Sequence, residues 1–247
     1  MNAPRTRVQR RPVHGVLLLD KPLGLSSNDA LQKAKWLLRA EKAGHTGTLD
    51  PMATGVLPLC FGAATKFSQI HLDADKSYEA EIRLGVRTST GDAEGDVVEE
   101  RPVPPVAPER LLELQRQFTG AQHQLPPMHS ALKRDGKALY EYARAGIELE
   151  RETRDSTVHE LELKHVAADR IRLFTRVSKG TYIRTLGEDI AAALGCGGHL
   201  SLLRRTATGP FGLDRCITLQ QLEAMDEPGR LAALQAVGSL LPGQTSV

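Results

Sequence analysis

The sequence GHTGTLDPMATGVLPLCFG, residues 44–62, decides the fold prediction because its glycine-rich loop leads directly into an apolar segment. Residues 56–61 are almost entirely apolar and predict a buried strand. Asp50 lies between Leu49 and Pro51 in the loop, where the proline and the glycines favour a rigid turn. Asp-Pro among glycines is first of all a turn signal, but an acid held rigidly above a core strand is also a candidate reactive group.

The preceding segment GVLLLDKPLGLSSNDAL, residues 15–31, predicts a strand, a turn at Lys21 and Pro22, and the start of a helix. Ser26 and Asp29 have the spacing of a capping box at that start. The apolar stripe of the helix consists of Ala30, Leu31, Ala34, Leu37 and Leu38. We interpret the Lys-Pro pair mainly as a corner that fixes the direction of the chain.

The next segments mix strand and helix patterns without a regular alternation of the two. A helix is expected over 64–74, and a strand opens at Tyr78, where residues 78–84 alternate between apolar and charged. Residues 88–95, TSTGDAEG, predict a polar turn, and a helix is expected over 109–118 after a proline-rich connection. This mixture indicates an α+β protein and not a βαβ arrangement.

Residues 124–144, QLPPMHSALKRDGKALYEYAR, combine a Pro-Pro break with interleaved basic and aromatic side chains. The members of this group are Lys133, Arg134, Lys137, Tyr140, Tyr142 and Arg144. Such interleaving suits a loop and short helix that bind a nucleic acid strand. An exposed helix with solvated charges fits the same pattern, and the pattern alone leaves both interpretations open.

Two further strands are expected beyond Thr157, the second of them over residues 171–177 with alternating apolar and basic side chains. A strand-to-helix transition follows, in which Thr185 and Glu188 have capping-box spacing and Gly195 ends the helix. Arg184 then lies at the corner between strand and helix, where a cleft is expected. The tail from residue 218 shows two short amphipathic patterns interrupted at a proline.

The composition excludes several classes of protein. With 247 residues and 40% hydrophobic content the chain has enough apolar residues for a sizeable core, and its net charge of +2 means that any nucleic-acid surface must arise from local clustering. Three widely spaced cysteines argue against a zinc site or a disulfide framework and suit a reducing cytosol. No apolar run approaches the ~18 residues of a membrane span.

Four of these segments resemble the signature motifs of the TruB-type bacterial tRNA pseudouridine synthases. The matching motifs are DKPLGLSS at residues 20–27, GHTGTLDP at 44–51, KSY at 76–78 and KGTYIR at 179–184. The resemblance extends from about residue 15 to residue 205. It implies the pseudouridine synthase fold, a mixed and mostly antiparallel sheet flanked by helices with a central catalytic cleft. It also implies isomerisation of uridine 55 in the T loop of tRNA.

The same resemblance suggests catalytic roles for three residues. Asp50 matches the catalytic aspartate and would act either as nucleophile on C1′ or as base on the C2′ proton. Arg184 would pair with it and keep it charged, although a phosphate contact or a surface ion pair fits an arginine equally well. Tyr78 would stack on the extruded uracil, but a core tyrosine at the start of a strand has the same appearance.

The remaining site residues are expected to contact the RNA. His45 would occupy space near the extruded base or merely stabilise its turn, and Leu203 would pack on the base or belong to the core. The expected contacts to the RNA backbone and the T-stem loop are Lys21, Lys133, Arg144, Lys179, Arg204 and Arg205. The reaction is redox-neutral, so neither a cofactor nor a metal is expected.

We therefore predict three regions and one partner. Residues 1–12 form a disordered basic arm, residues 13–215 form the catalytic domain with an inserted RNA-binding loop at about 122–152, and residues 216–247 form a helical tail without a complete PUA-type domain. The expected partner is the T arm of tRNA, bound by a cytoplasmic monomer. Two rival functions stay open, an RNA-folding protein and an N-glycoside hydrolase, which would need a second carboxylate across the bond.

Overall fold

The computed structural model of this chain describes residues 9–67, 72–236 and 238, which fall into two compact units. The first unit takes the described parts of 1–73 and 209–247, and the second takes 74–208. Each contains strands and helices, and we describe each by itself. The predicted arm falls largely outside the described residues, but Arg11 forms a β-bridge with Ala40 and an ion pair with Glu227.

The strands in chain order are β1 (Gly15–Lys21), β2 (Ala43–His45), β3 (Ala53–Phe61), β4 (Lys76–Leu84), β5 (Val86–Thr88), β6 (Val97–Glu100), β7 (Gly120–Gln124), β8 (Lys133–Arg134), β9 (Lys137–Ala138), β10 (Arg154–Ala167), β11 (Arg170–Val177), β12 (Gly198–Thr208), β13 (Phe211–Gly212) and β14 (Ile217–Thr218). The α-helices are α1 (Ser27–Leu37), α2 (Pro108–Phe118), α3 (Leu139–Arg144), α4 (Ile183–Ala193), α5 (Leu219–Ala224) and α6 (Glu227–Ala232).

The first unit is built on β1 and β3, which pair antiparallel from Gly15 opposite Phe61 to Lys21 opposite Gly55. Strand β2 pairs with β3 in antiparallel orientation, and β14 pairs in parallel with β1, so the strand arrangement of this unit is mixed. Its apolar cluster consists of Val16, Leu18, Val56, Cys60, Ala64 and Phe211. The predicted buried strand over 56–61 is confirmed.

Helix α1 begins where the capping pattern predicted. The Ser26 side chain accepts a hydrogen bond from the backbone N–H of Asp29, and the predicted apolar stripe is buried. The helix expected over 64–74 is only partly observed, because a 3₁₀ helix spans Gly62–Phe67 and residues 68–71 lie outside the described residues.

The second unit contains an antiparallel sheet in the order β12, β4, β11, β10, β7. The alternation predicted for β4 and β11 is confirmed: Ala80 and Ile82 face the core opposite Leu173 and Ile171. The other face carries charged pairs such as Arg170 with Glu81, whose Nη1 and Oε1 are 2.7 Å apart. The strand pairings and the helices of the two units confirm the α+β class and the mixed, mostly antiparallel architecture.

Helix α4 packs closely on this sheet because Gly187 has no side chain. A Cβ atom there would lie 2.7 Å from Cδ2 of Leu200, so a larger residue would require the buried leucine side chain to shift. The predicted helix end is confirmed, since Gly195 follows with a φ of 85°.

The predicted start of α4 was wrong by three residues, because the cap position is Tyr182 and not Thr185. The helix begins at Ile183, and the side chain of Thr185 does not cap it. Instead Gln124 of β7 accepts a hydrogen bond from the N–H of Tyr182 at 2.8 Å and donates one to its carbonyl at 3.2 Å. A side chain from a distant strand therefore supplies the partner that a local cap would have supplied.

The tail contains the two helices expected from its amphipathic patterns, but the proline does not interrupt them. Pro228 lies in the first turn of α6, where its missing N–H needs no partner, and Asp226 caps that helix by accepting from Gly229 at 2.8 Å. Within the described ranges, no helix is both long and apolar enough to cross a membrane.

Candidate active site

The Asp50 loop of the first unit is held by hydrogen bonds to the backbone on both sides of the carboxylate. The hydroxyl of Ser27, buried at the start of α1, accepts from the N–H of Leu49 at 2.7 Å and donates to its carbonyl at 3.0 Å. On the other side, the carbonyl of Pro51 accepts from the N–H of Gly24 at 2.8 Å. Asp50 itself is half-buried, and its carbonyl accepts from Ala53 at 3.0 Å. The loop therefore presents the carboxylate from a rigid turn.

Lys21 supports the same loop from within the first unit. Its side chain is fully buried, and its ammonium donates to the carbonyls of Pro22 at 3.0 Å, Leu25 at 2.5 Å and Pro51 at 3.4 Å. These bonds favour the architectural interpretation of the lysine over the RNA contact suggested for it. A buried ammonium that donates to three carbonyls stabilises the turn.

His45 ends β2 opposite Leu59 and is half-buried, directly before the loop that carries Asp50. Gly47 follows with a φ of 73°, a conformation that favours glycine. The structure thus places the histidine and the acid in one short connection between two paired strands.

Arg184 of the second unit is a buried cation held by two separate segments. Its side chain is only 6% exposed. Nη1 donates to the carbonyl of Thr90 at 3.0 Å, and Nη2 donates to the carbonyl of His129 at 2.5 Å. The arginine predicted at the strand-to-helix corner therefore lies in the first turn of α4, with its guanidinium directed at loops and not at solvent.

Asp92 is a carboxylate that pairs with Arg184 within the second unit, and its segment was predicted only as a polar turn. Its Oδ2 lies 3.6 Å from Nη1 of Arg184, and its side chain is 4% exposed. Its Oδ1 accepts from the hydroxyl of Thr90 at 2.6 Å and from the N–H of Glu94 at 3.0 Å. The Thr-x-Asp spacing is a local turn signal and contains no information about a distant arginine.

Glu188 is a second acid near this arginine that the sequence analysis used only as a capping residue. It lies one helical turn beyond Arg184, and its Oε2 would be 2.8 Å from a Cβ atom at Gly91. Burial raises the pKa of Glu188 above its ordinary value, although Arg87 and Arg184 act in the opposite direction. The loop that carries Asp92 therefore packs directly on this carboxyl group.

Tyr78 and Leu203 lie on the same face of the strands of the second unit, which is the face on which α4 packs. Leu203 pairs with Ala80, and Arg205 pairs with Tyr78. Leu203 is buried and Tyr78 half-buried. Arg205 is only 1% exposed, which does not fit the phosphate contact suggested for it, whereas its neighbour Arg204 is half-buried.

The inserted loop, residues 122–152, carries exposed basic side chains on a small hairpin and on α3. Lys133 lies in β8, which pairs with β9, and Arg144 ends α3 with its guanidinium 5.2 Å from the ring centre of Tyr140. The carbonyl of Pro126 accepts from Arg151 at 2.9 Å, which links the two ends of the loop. The short helix expected in this stretch is confirmed. Lys179 is exposed just before α4.

The structure thus brings the predicted residues together in two groups. His45, Asp50 and Lys21 belong to the first unit, and Tyr78, Arg184 and Leu203 to the second. The pairing of Asp50 with Arg184 stays a prediction. In the described part of the chain, no group of three or more His, Cys, Asp or Glu residues is arranged to hold a metal ion.

Two family models together match residues 35–239 of the chain. The model described as TruB family pseudouridylate synthase (N terminal domain) matches residues 35–183. The model described as tRNA pseudouridylate synthase B C-terminal domain matches residues 184–239.

Curated relatives are similar over nearly the full chain. A protein of Verminephrobacter eiseniae named tRNA pseudouridine synthase B is 68% identical over 245 residues, which are 97% of this chain and 74% of that protein. One of the same name from Ralstonia nicotianae is 61% identical over 236 residues, covering 94% of this chain and 75% of that protein.

Solved structures show the same fold at lower identity. The crystal structure of a Cbf5-Nop10-Gar1 complex matches with a TM-score of 0.71 and 30% identity over 97% of this chain. An H/ACA RNP bound to a substrate RNA containing 2′-deoxyuridine matches with a TM-score of 0.67 and 29% identity over 92% of it. This chain spans 64% and 60% of those two chains, which is less than two thirds of either.

Proposed function

This chain belongs to the TruB family of pseudouridylate synthases, and from that premise we propose that it converts uridine 55 in the T loop of tRNA to pseudouridine. It is an isomerase that acts on tRNA. The observation that carries this function is the match to the family along residues 35–239, including the loop in which Asp50 is anchored. The protein would act in the cytoplasm as a monomer.

The reaction breaks the bond from C1′ to N1, turns the uracil, and joins C5 to C1′ before the proton on C5 is removed. Asp50 would supply the carboxylate at the sugar, either as nucleophile or as base for the C2′ proton. The two hydrogen bonds between Ser27 and Leu49 support this role, because a reacting group must be held in one geometry while the base turns.

Arg184 would keep that carboxylate ionised. A guanidinium within hydrogen-bond distance favours the charged form of an acid that burial alone would make neutral. What supports this role is that Arg184 is itself buried, already lies beside one carboxylate, and is the last residue of the KGTYIR motif, in the first turn of α4. A surface ion pair or an exposed phosphate contact does not fit a side chain that is 6% exposed.

The extruded uracil would be held between an aromatic and an apolar side chain. Tyr78 and Leu203 lie on the sheet face that carries α4. The half-buried Tyr78 offers an aromatic ring and Leu203 offers an apolar side chain, and each is a residue type that packs on a base. His45 would occupy space near the extruded base, since imidazole both stacks and donates a hydrogen bond.

The T arm would bind along exposed basic side chains of the second unit. Lys133, Arg144 and Lys179 are exposed, and Arg204 is half-buried, so each can approach a phosphate group. We omit Lys21 and Arg205 from this set because both are buried. Affinity should fall steeply as salt rises, since these contacts displace counterions from the RNA.

Tritium release tests the function directly. A T-arm stem-loop labelled with tritium at C5 of uridine 55 should lose its label on incubation with the protein, and the same RNA labelled at uridine 54 should retain it. Asp50→Asn should reduce the rate by at least on the order of 10³-fold while RNA affinity stays within about threefold. Glu223→Gln, which removes an exposed charge in the same unit, should behave like the unaltered protein.

The rival functions give different results in this assay. Comparable tritium release by Asp50→Asn would refute the catalytic role of the acid and favour an RNA-folding protein. Free uracil among the products would indicate hydrolysis of the N-glycosidic bond and would overturn the isomerase mechanism.

A further inference from the structure

Trp36 of the first unit is a large aromatic side chain on the exposed face of α1. It is 64% exposed, whereas Ala30, Leu31, Ala34 and Leu37 on the other face of the helix are buried. Exposure alone identifies no partner, because single apolar side chains are common on protein surfaces. The residues around the indole therefore decide whether it has a binding role.

Basic residues surround Trp36 along the chain. Residues 33–42 contain four basic residues and one acidic residue, an excess larger than the net charge of +2 of the whole chain. Lys33 is exposed and lies about one helical turn before Trp36. Arg39, whose side chain is 56% exposed, follows the end of the helix, and its N–H donates to the carbonyl of Trp36 at 3.0 Å. The indole thus has a cation on each side of it along the chain.

The N-terminal segment adds positive charge at the same end of α1. The N–H of Arg11 donates to the carbonyl of Arg39 at 2.9 Å, and the carbonyl of Arg11 accepts from the N–H of Glu41 at 3.1 Å. Arg10, the preceding residue, is exposed. Glu227 forms ion pairs with Arg11 and Arg39 and balances part of this charge. Basic side chains still outnumber acidic ones at this end of the helix.

An aromatic ring among cations matches the two parts of a nucleotide. Aromatic side chains stack on the bases of single-stranded RNA, and basic side chains around them bind the phosphate groups. A second copy of this chain would bring the same basic residues to the interface, and the two surfaces would repel each other. A membrane surface would need an accessible apolar helix face, and that of α1 is buried. Charge complementarity therefore favours RNA.

Helix α1 separates the indole from the loop that carries Asp50. Ser27, the first residue of the helix, holds the backbone of Leu49 next to Asp50. At 1.5 Å per residue, Trp36 lies about 14 Å further along the helix axis. A uridine at Asp50 and a base on Trp36 would therefore be two different nucleotides of one RNA.

We propose that Trp36, together with Lys33 and Arg39, is a stacking site for an unpaired nucleotide of the RNA substrate other than the uridine that reacts. The base stacks on the indole, and the two cations bind phosphate groups on either side of it. The inference rests on the proposed function for the identity of the RNA. The site adds affinity and orients the RNA without taking part in the reaction.

The fluorescence of Trp36 tests the proposal directly, because this residue is the only tryptophan in the sequence. Excited where tyrosine does not absorb, the free protein should show the emission of a water-exposed indole. A short single-stranded oligouridylate should quench this emission, since a stacked base lies in contact with the ring. Inorganic polyphosphate carries the charge of the RNA backbone without bases and should leave the emission nearly unchanged.

Three variants separate the ring from the charge. Trp36→Ala should weaken the binding of an unmodified tRNA transcript by about tenfold, the loss expected for one stacked base. Trp36→Phe keeps an aromatic ring and should retain affinity within about threefold of the unaltered protein. Lys33→Gln should weaken the binding of both oligouridylate and polyphosphate, because it removes a charge and leaves the ring in place.

Val98→Ala is the matched control for loss of an exposed apolar side chain. Val98 is 57% exposed, nearly as much as Trp36, but it lies in β6 directly before Glu99 and Glu100. Carboxylates repel the phosphates of RNA, so this variant should bind the tRNA transcript like the unaltered protein.

Any one of five results would overturn the proposal. They are the emission of a buried indole in the free protein, no quenching by oligouridylate, equal quenching by polyphosphate, unchanged affinity in Trp36→Ala, and an affinity of Trp36→Phe as low as that of Trp36→Ala. An equal loss of affinity in Val98→Ala would do the same. These measurements do not depend on catalysis, whereas failure of the proposed function would appear as no tritium release by the unaltered protein.

Discussion

Lys21 and Arg184 are both buried cations that donate to backbone carbonyls, but their partners come from different distances along the chain. Two of the three carbonyls around Lys21 belong to Pro22 and Leu25, within four residues of the lysine. The carbonyls around Arg184 lie 94 and 55 residues away, and a carboxylate accompanies them. The lysine completes a local turn, whereas the arginine connects segments that are far apart in the sequence.

This difference separates a structural cation from a functional one. The turn around Lys21 contains the carbonyls of Pro22 and Leu25, so the ammonium has these acceptors whenever the turn is formed. The partners of Arg184 depend on where two loops lie, and a movement of either loop changes what the guanidinium binds. Burial and charge are alike in the two residues, so only the origin of their partners distinguishes them.

Among the variants that test this comparison, Arg184→Lys should give the largest effect. It keeps a positive charge beside Asp92, so the melting temperature should change little. An ammonium lacks the planar fork that serves two carbonyls and a carboxylate together, and we expect the isomerisation rate to fall by on the order of 10²- to 10³-fold. Single-turnover tritium release and thermal unfolding on the same preparation measure both quantities.

The control for this variant is Arg170→Lys, which makes the same change in an ion pair with Glu81 whose arginine side chain is 42% exposed. It should retain activity within about threefold, since exposed pairs contribute little. A loss of less than tenfold in Arg184→Lys would show that the fork geometry is not needed and would remove the distinction between the two buried cations.

The variant Lys21→Met should produce the opposite result, a loss of stability with little loss of activity. Methionine has a similar length but leaves the carbonyls of Pro22, Leu25 and Pro51 without this donor. We expect the free energy of unfolding in urea to fall by about 2–4 kcal/mol, and the rate per folded molecule to stay within about threefold.

Lys33→Met, an exposed substitution on α1, is the control for stability and should change the free energy of unfolding by less than about 0.5 kcal/mol. If Lys21→Met kept its stability but bound RNA more weakly, the lysine would belong with the RNA-binding residues and the comparison with Arg184 would fail.

The elements that were predictable from sequence are those whose signals are local. The apolar stripe and the Ser26 cap defined α1, and alternation defined β4 and β11, because each signal lies within the element that it specifies. Strand β12 was missed for a physical reason. Bulges after Leu200 and after Arg205 shift its alternation, so no continuous period of two is visible.

The candidate site also has a part that local sequence signals predict and a part that they do not. The Asp50 loop was recognisable because its motif is continuous, although its anchor on Ser27 is 22 residues distant. The partners of Arg184 could not be predicted, since Asp92 and His129 belong to segments with turn and loop signals of their own. The burial of Arg205 could not be predicted either, because two adjacent basic residues suggest a surface position.

Glu188→Gln gives the smallest effect and tests whether the surroundings of Arg184 respond to charge in a way that those of Lys21 do not. Burial raises the pKa of Glu188 above the ordinary 4.5, so the folded protein binds a proton over a pH range in which the unfolded chain has lost it. Stability from this group is therefore complete below about 4.5 and decreases as the pH rises through the folded pKa. The groups that face it are Arg87, Arg184, Asp92 and Asp189.

Glutamine keeps the shape of the side chain and does not ionise, so the variant should lose less stability than the unaltered protein as the pH rises. The difference should grow above about pH 4.5 and then level off, and it should stay below about 1 kcal/mol because solvent screens a partly exposed group. Urea unfolding at a series of pH values measures it. A difference that grew towards lower pH would have the wrong sign, and it would mean that the ionised carboxylate stabilises the Arg184 site as a second acidic partner of the arginine.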